Sequence, residues 1–147
     1  MDQWQDFPVI PGGHSVTAAG ATRLLEDGAI ENGQQVQVFC DWLGNGPPFT
    51  VNGLIYVGSG SAERHIEISS PMVVGQAMVG SALVSGPDLP QPYAVGMPDL
   101  CMFTATDVDA ASHRVRGHFV CGTLEGTTSG ERCKAGESYF TFENCKP

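Results

Sequence analysis

Basic residues are scarce in this chain: lysine occurs twice and arginine five times among 147 residues, against sixteen aspartates and glutamates, for a formal net charge of −9. Nucleic-acid backbones are held by dense Lys/Arg clusters, so nucleic acid is not an expected partner. Five of the seven cations (Arg114, Arg116, Arg132, Lys134, Lys146) lie in the last 34 positions, too far apart to form a basic run, and read as solvated charges. Histidine is limited to His14, His65, His113 and His118. His113 and His118 stand five apart, on opposite faces of a regular strand. No HExxH, CxxC or CxxCH spacing occurs, so neither a metal nor any other cofactor is expected. A long apolar run is also missing. The stretch from Pro71 to Val84 is fourteen residues with Gly75 and Gly80 inside it, short of the roughly 20 needed to span a bilayer.

The start, Met1-Asp-Gln-Trp-Gln-Asp6, has neither a basic nor an apolar leader region and is expected to be a methionine added to a processed chain, with the export signal absent from this sequence. No Gly-x-Ser-x-Gly elbow occurs; Gly58-Ser-Gly-Ser61 is a small-residue turn between strands. Asp107 and Asp109 flank a hairpin turn, where aspartate is a common turn-former. With no nucleophile, acid–base pair or metal set to carry chemistry, catalytic residues are not expected and the chain does not read as an enzyme.

Cysteine is what the chain does have, at Cys40, Cys101, Cys121, Cys133 and Cys145. Such density points to disulfides and an oxidising compartment, hence a secreted or cell-surface or periplasmic protein. An odd count leaves one thiol over if four pair, and spacing does not choose among fifteen possible frameworks. A chain of this length buries about 70% of the surface it exposes when unfolded, enough for one domain with its own core.

Residues 1–14, with Pro8, Pro11 and Gly12-Gly13, read as an extended tail, and residues 15–147 as a single domain. Ser15 is placed to cap a short helix from Val16 to Asp27 closed by Gly28, with a strand at Ala21 to Glu26 as the competing reading. Beyond that, Asn-Gly pairs at 32, 45 and 52 punctuate strand-like segments. These are Gln35–Trp42, Phe49–Val57, Glu63–Ser69, a part of Met72–Val84, Leu100–Asp107, His113–Leu124 and Ser138–Cys145. Seven such segments predict an all-β fold, an antiparallel β-sandwich reinforced by disulfides. Period-two patterning supports it: Val36, Val38 and Cys40 share a face, as do Ile66 and Ile68, and Val115, Phe119 and Cys121 across Gly117. A hairpin centred near Ala111 sets Cys101 opposite Cys121, where Cβ atoms come within bonding reach.

The segment Ser112-His-Arg-Val-Arg-Gly-His-Phe-Val-Cys121, a Gly-rich linker and Tyr139-Phe-Thr-Phe-Glu-Asn-Cys145 together resemble the C-terminal hairpin of LpqH-type actinobacterial surface lipoproteins. Val36-Gln-Val-Phe-Cys40 and the strand at Leu54 to Val57 are similar to that family's first cysteine-bearing strand. The resemblance implies a β-sandwich tethered by an N-terminal lipid, with the early and terminal cysteines, here Cys40 and Cys145, bonded. The chain departs from the family in its three extra cysteines and in lacking a lipidated N-terminal cysteine, so a membrane enters only through a lost lipid anchor.

Two segments are candidates for partner binding. The stiff, Pro-rich loop Pro87 to Pro98 is expected to present Leu89, Tyr93 and Met97, because a preformed loop loses little entropy on binding. The tail carrying Trp4 and Phe7 is the competitor, and would have to order on contact. Trp42, on the face of Cys40, is assigned to the core. The expected function is a secreted or cell-envelope, non-catalytic surface or interaction module whose partner is a protein or a surface glycan. The alternative is a structural subunit of a filament or capsid-like oligomer that exchanges its N-terminal tail.

Overall fold

Alternation of apolar and polar side chains builds β3 (Gln34–Leu43) and β4 (Phe49–Val57), each burying every second residue. Val36, Val38, Cys40 and Trp42 point inward from β3; Phe49, Val51, Ile55 and Val57 do so from β4. The other strands of this computed structural model are β1 (Ser15–Thr17), β2 (Ile30–Glu31), β5 (Arg64–Met72), β6 (Ala77–Ser85), β7 (Tyr93–Val95), β8 (Cys101–Asp109), β9 (Arg114–Gly126) and β10 (Arg132–Phe142). The structure describes residues 15–17, 27–28, 30–31, 33–87 and 89–147, with backbone only for 15–17, 31 and 133–136. The expected tail, residues 1–14, lies outside the described residues, and so does most of the expected helix. Its first residues, Val16 and Thr17, belong to strand β1, which pairs with β10.

All ten strands join one antiparallel, hydrogen-bonded sheet, so the fold is all-β but is not laid out as two separate stacked sheets. β3, β4, β5 and β6 follow one another in chain order. β7 and β8 both pair with β6 on one side and β9 on the other, which closes a ring of four strands. Proline 71 sits inside β5 without breaking it, because the β5–β6 pairing stops at Ser69 and Ser81, where no further ladder N–H is required.

The sheet curls so that its far arms meet across a single core. The ring of Phe142 from β10 covers Gly53 of β4, where a Cβ would stand 2.2 Å from the ring's Cζ. Phe140 likewise covers Gly117, and Phe103 stacks on Phe119 with ring centres 4.9 Å apart. Two disulfides brace this core. Cys101–Cys121 crosses directly between paired β8 and β9 residues, and Cys40–Cys145 ties β3 to the segment after β10.

An unpaired strand edge invites aggregation, and β3 would be such an edge. Its outer side is covered piece by piece. β2 pairs Ile30 with Gln35. The Gly28 N–H donates to the Val36 carbonyl at 2.9 Å, and the Val38 N–H donates to Asp27 Oδ1 at 2.9 Å. Farther along, the Lys146 N–H donates to the Cys40 carbonyl at 3.0 Å, while the Trp42 N–H donates to the Lys146 carbonyl. The chain's last residues therefore act as a strap, bonded through Cys145 to the strand they cover.

Candidate functional site

Strand register decides which side chains share the outer face, and on β3–β6 it assembles four parallel rows. Asp41, Asn52, Ser69 and Ser81 are successive partners across the four strands. All four are short and polar. One side of this row is flanked by Phe39, Leu54, Glu67, Leu83 and Ala94, again in register. On the other side stand Leu43, Thr50 and Pro71. Short residues between taller ones leave a groove of about 510 Å³ running across the strands. Leu54, Leu83 and Ala94 give it an apolar wall, and at the β3 end of the flanking rows Phe39 and Leu43 are each 49% exposed.

The groove is furnished for hydrogen bonding. Ser69 Oγ donates to Asn52 Oδ1 at 2.6 Å, which fixes the amide and leaves its N–H₂ as the donor for a ligand. Asp41 and Glu67 bring carboxylates and, among the described residues, no cation lines the groove, so together with the net charge of −9 it disfavours anions. A fourth row, Gln37, Tyr56, His65 and Ser85, adds aromatic surface beyond Phe39. Phe39 meets Tyr56 edge to face at 6.3 Å, and Tyr56 lies 5.5 Å from the His65 ring.

His65 invites comparison with a nucleophile relay, since its Nδ1 is 2.8 Å from Ser85 Oγ and 3.7 Å from Glu63 Oε1. A relay needs the base to face the hydroxyl with one ring nitrogen and the carboxylate with the other. Here both approach Nδ1, so the arrangement cannot pass a proton from serine while being held by the acid. Among the described residues no group of three or more His, Cys, Asp or Glu side chains is placed to hold a metal. His113 is not on a strand at all: it ends the β8–β9 turn with φ +48°, while His118 lies on the outer side of β9 near Tyr139.

The Pro-rich loop is arranged differently from the surface expected of it. Tyr93 is not presented outward; it is 1% exposed, the first residue of β7, and its hydroxyl donates to Glu131 Oε2 at 2.9 Å. Leu89 is partly buried against the core. Met97 alone of the three is presented, at 62% exposure. It sits on a five-residue excursion, 96–100, between Val95 opposite Leu124 and Cys101 opposite Cys121. Thr123 pins that excursion, accepting from the Gly96 N–H at 3.0 Å and donating its own N–H to the Asp99 carbonyl at 2.6 Å. Trp4 and Phe7 lie outside the described residues.

Trp42 is in the core as assigned, 6% exposed, with its ring stacked on Phe49 at 3.9 Å and an interplanar angle of 2°. The groove escaped the sequence reading because its four residues come from four strands. No local pattern joins Asp41 to Ser81. No family model, curated protein or solved structure matches the chain.

Proposed function

We propose that this protein is an exported, non-catalytic interaction module, secreted or held at the cell envelope, that binds a neutral, hydroxyl-rich chain such as a surface glycan across the outer face of β3–β6. One observation carries the reading: Asp41, Asn52, Ser69 and Ser81 repeat across the sheet at the strand spacing of about 4.8 Å. Carboxylate, amide and hydroxyl groups at that repeat suit a polymer that offers hydroxyls at a similar interval, and the apolar borders suit the flat faces of sugar rings. The two disulfides favour an oxidising compartment. A lipid anchor on the precursor would place the module at a membrane surface.

The test is an NMR titration of the ¹⁵N-labelled protein with neutral hexasaccharides of different linkage, namely maltohexaose, cellohexaose and chitohexaose. Shifts that centre on Asp41, Asn52, Ser69 and Ser81 and weaken in Asn52→Ala support the reading. Shifts elsewhere on the surface, or none with any of the three sugars at millimolar concentration, overturn it.

A further inference from the structure

At one end of the sheet three connections converge that are far apart in sequence: the β3–β4 loop, the β5–β6 turn and the β8–β9 turn. Between them lies an open-mouthed cavity of about 490 Å³, within the size range of small-molecule sites. Its walls are Pro47, Phe49, Val73, Val74, Val108 and Ala110, with Asn45 and His113 as the polar side chains and Trp42 behind them. Among the described residues, no Asp, Glu, Lys or Arg lines it.

The rim is held open by identifiable bonds. The Gly75 N–H donates to the Ala105 carbonyl at 2.8 Å, which fixes Val74 beside β8 while leaving it 56% exposed. Opposite, His113 adopts a left-handed backbone conformation, φ +48°, which a non-glycine residue holds only where its surroundings enforce it. The C-terminal strap sustains it: the Cys145 N–H donates to the His113 carbonyl and the Asn144 N–H to that of Ser112, both at 3.3 Å. The His113 ring is thereby set against Trp42, 5.4 Å between centres. With Phe49 on one side of Trp42 and His113 on another, the indole is not a free platform for a sugar. The cavity offers hydrocarbon walls and the hydrogen-bonding side chains of Asn45 and His113.

From this lining we infer a second binding site, for a small, uncharged, hydrocarbon-rich molecule that carries one hydrogen-bonding group facing Asn45 and His113. The absence of a lining charge sets the class, since an ionised ligand would lose its hydration and find no opposite charge to replace it. The site is at the end of the sheet, away from the outer-face groove, and does not depend on what that groove binds.

The probe is N-phenyl-1-naphthylamine, uncharged and fluorescent in apolar surroundings. Saturable brightening is expected, reversed by 1-octanol but not by octanoate or octylammonium at the same concentration. Val74→Asp, which puts a carboxylate on the wall, and Ala110→Trp, which fills the space, should each weaken it about tenfold or more. Val120→Ser, on an exposed strand face outside the cavity, should leave it unchanged. Undiminished brightening in both rim variants, with native circular dichroism, overturns the site. Equal displacement by octanoate overturns the ligand class. Should either variant fold poorly, amide shifts of the unmodified protein decide: perturbation at Val73, Val108 and Ala110 upholds the site, and perturbation confined elsewhere removes it.

Discussion

The tip of the Phe142 ring lies against Gly53, so close that the glycine's missing Cβ is what lets the two arms of the sheet meet: a Cβ built there stands 2.2, 2.8 and 2.9 Å from Cζ and the two Cε atoms. Both residues are in the buried interior, and Phe142 is fully covered. Gly53→Ala should therefore destabilise the fold by about 1–3 kcal/mol, the usual cost of overpacking. Adding Phe142→Leu should recover part of the loss, because the shorter side chain makes room for the methyl group. Urea unfolding of the two single variants and the double variant measures the coupling, and additive losses would show that the contact is not what limits position 53.

The cysteines give a second expectation. Among the described side chains, Cys40 pairs with Cys145 and Cys101 with Cys121, and the sequence has a fifth cysteine at position 133. Thiol titration in denaturant should find one reactive thiol before reduction and five after it. The two bridges should also differ in worth. Cys40–Cys145 spans 105 residues and Cys101–Cys121 spans 20, so the chain-entropy account gives about 4.7 kcal/mol for the first and about 3 kcal/mol for the second. Paired cysteine-to-alanine variants should lose stability in that order. The reverse order would mean that packing around the β8–β9 bridge outweighs loop entropy.

Tyr93 provides a third. It is buried, and its hydroxyl reaches Glu131. Tyr93→Phe removes one hydrogen bond to a charged group and should cost about 1.5–3 kcal/mol at most, whereas Tyr93→Ala empties an aromatic site and should cost about 3–5 kcal/mol. Thermal or chemical unfolding separates the two. A surface Tyr93 would leave both variants near the stability of the parent chain.

How far the sequence reaches can be judged from particular residues. Period-two alternation locates β3, β4 and β5 within a residue or two at most ends because one face of each is buried and the other wet. The opposition of Cys101 and Cys121 is legible from the hairpin, with one concealed detail. The turn pairs Asp109 with Arg114, half a residue later than a centre at Ala111, and the bulged Thr106 absorbs the offset before the cysteines are reached. Three-residue β7 is hidden among Pro87, Pro90, Pro92 and Pro98. Its inward Tyr93 is assigned by pairing with Val84 and Gly126, partners that no local pattern in the loop announces. Closure of the sheet, the groove and the end cavity are illegible for the same reason: each is created by register between distant strands or by loops that meet only after folding.

The last expectation concerns acid. In the β8–β9 turn the Ser112 hydroxyl donates to the Asp109 carboxylate, the Ala111 N–H joins it at 3.0 Å, and Arg114 adds a smaller attraction. These hold the Asp109 pKa below its ordinary 3.8, against a lesser opposing effect of burial. A carboxylate whose pKa is lower folded than unfolded favours the fold above the ordinary value, and that contribution disappears as pH falls through the folded one. Asp109→Asn keeps an oxygen for the Ala111 N–H but cannot ionise. The parent chain should thus be the more stable above about pH 4, and the gap should narrow as pH is lowered below 3.8. Urea midpoints measured across that range check the sign, and a gap that stays constant with pH would show that the turn depends on the shape of the side chain and not on its charge.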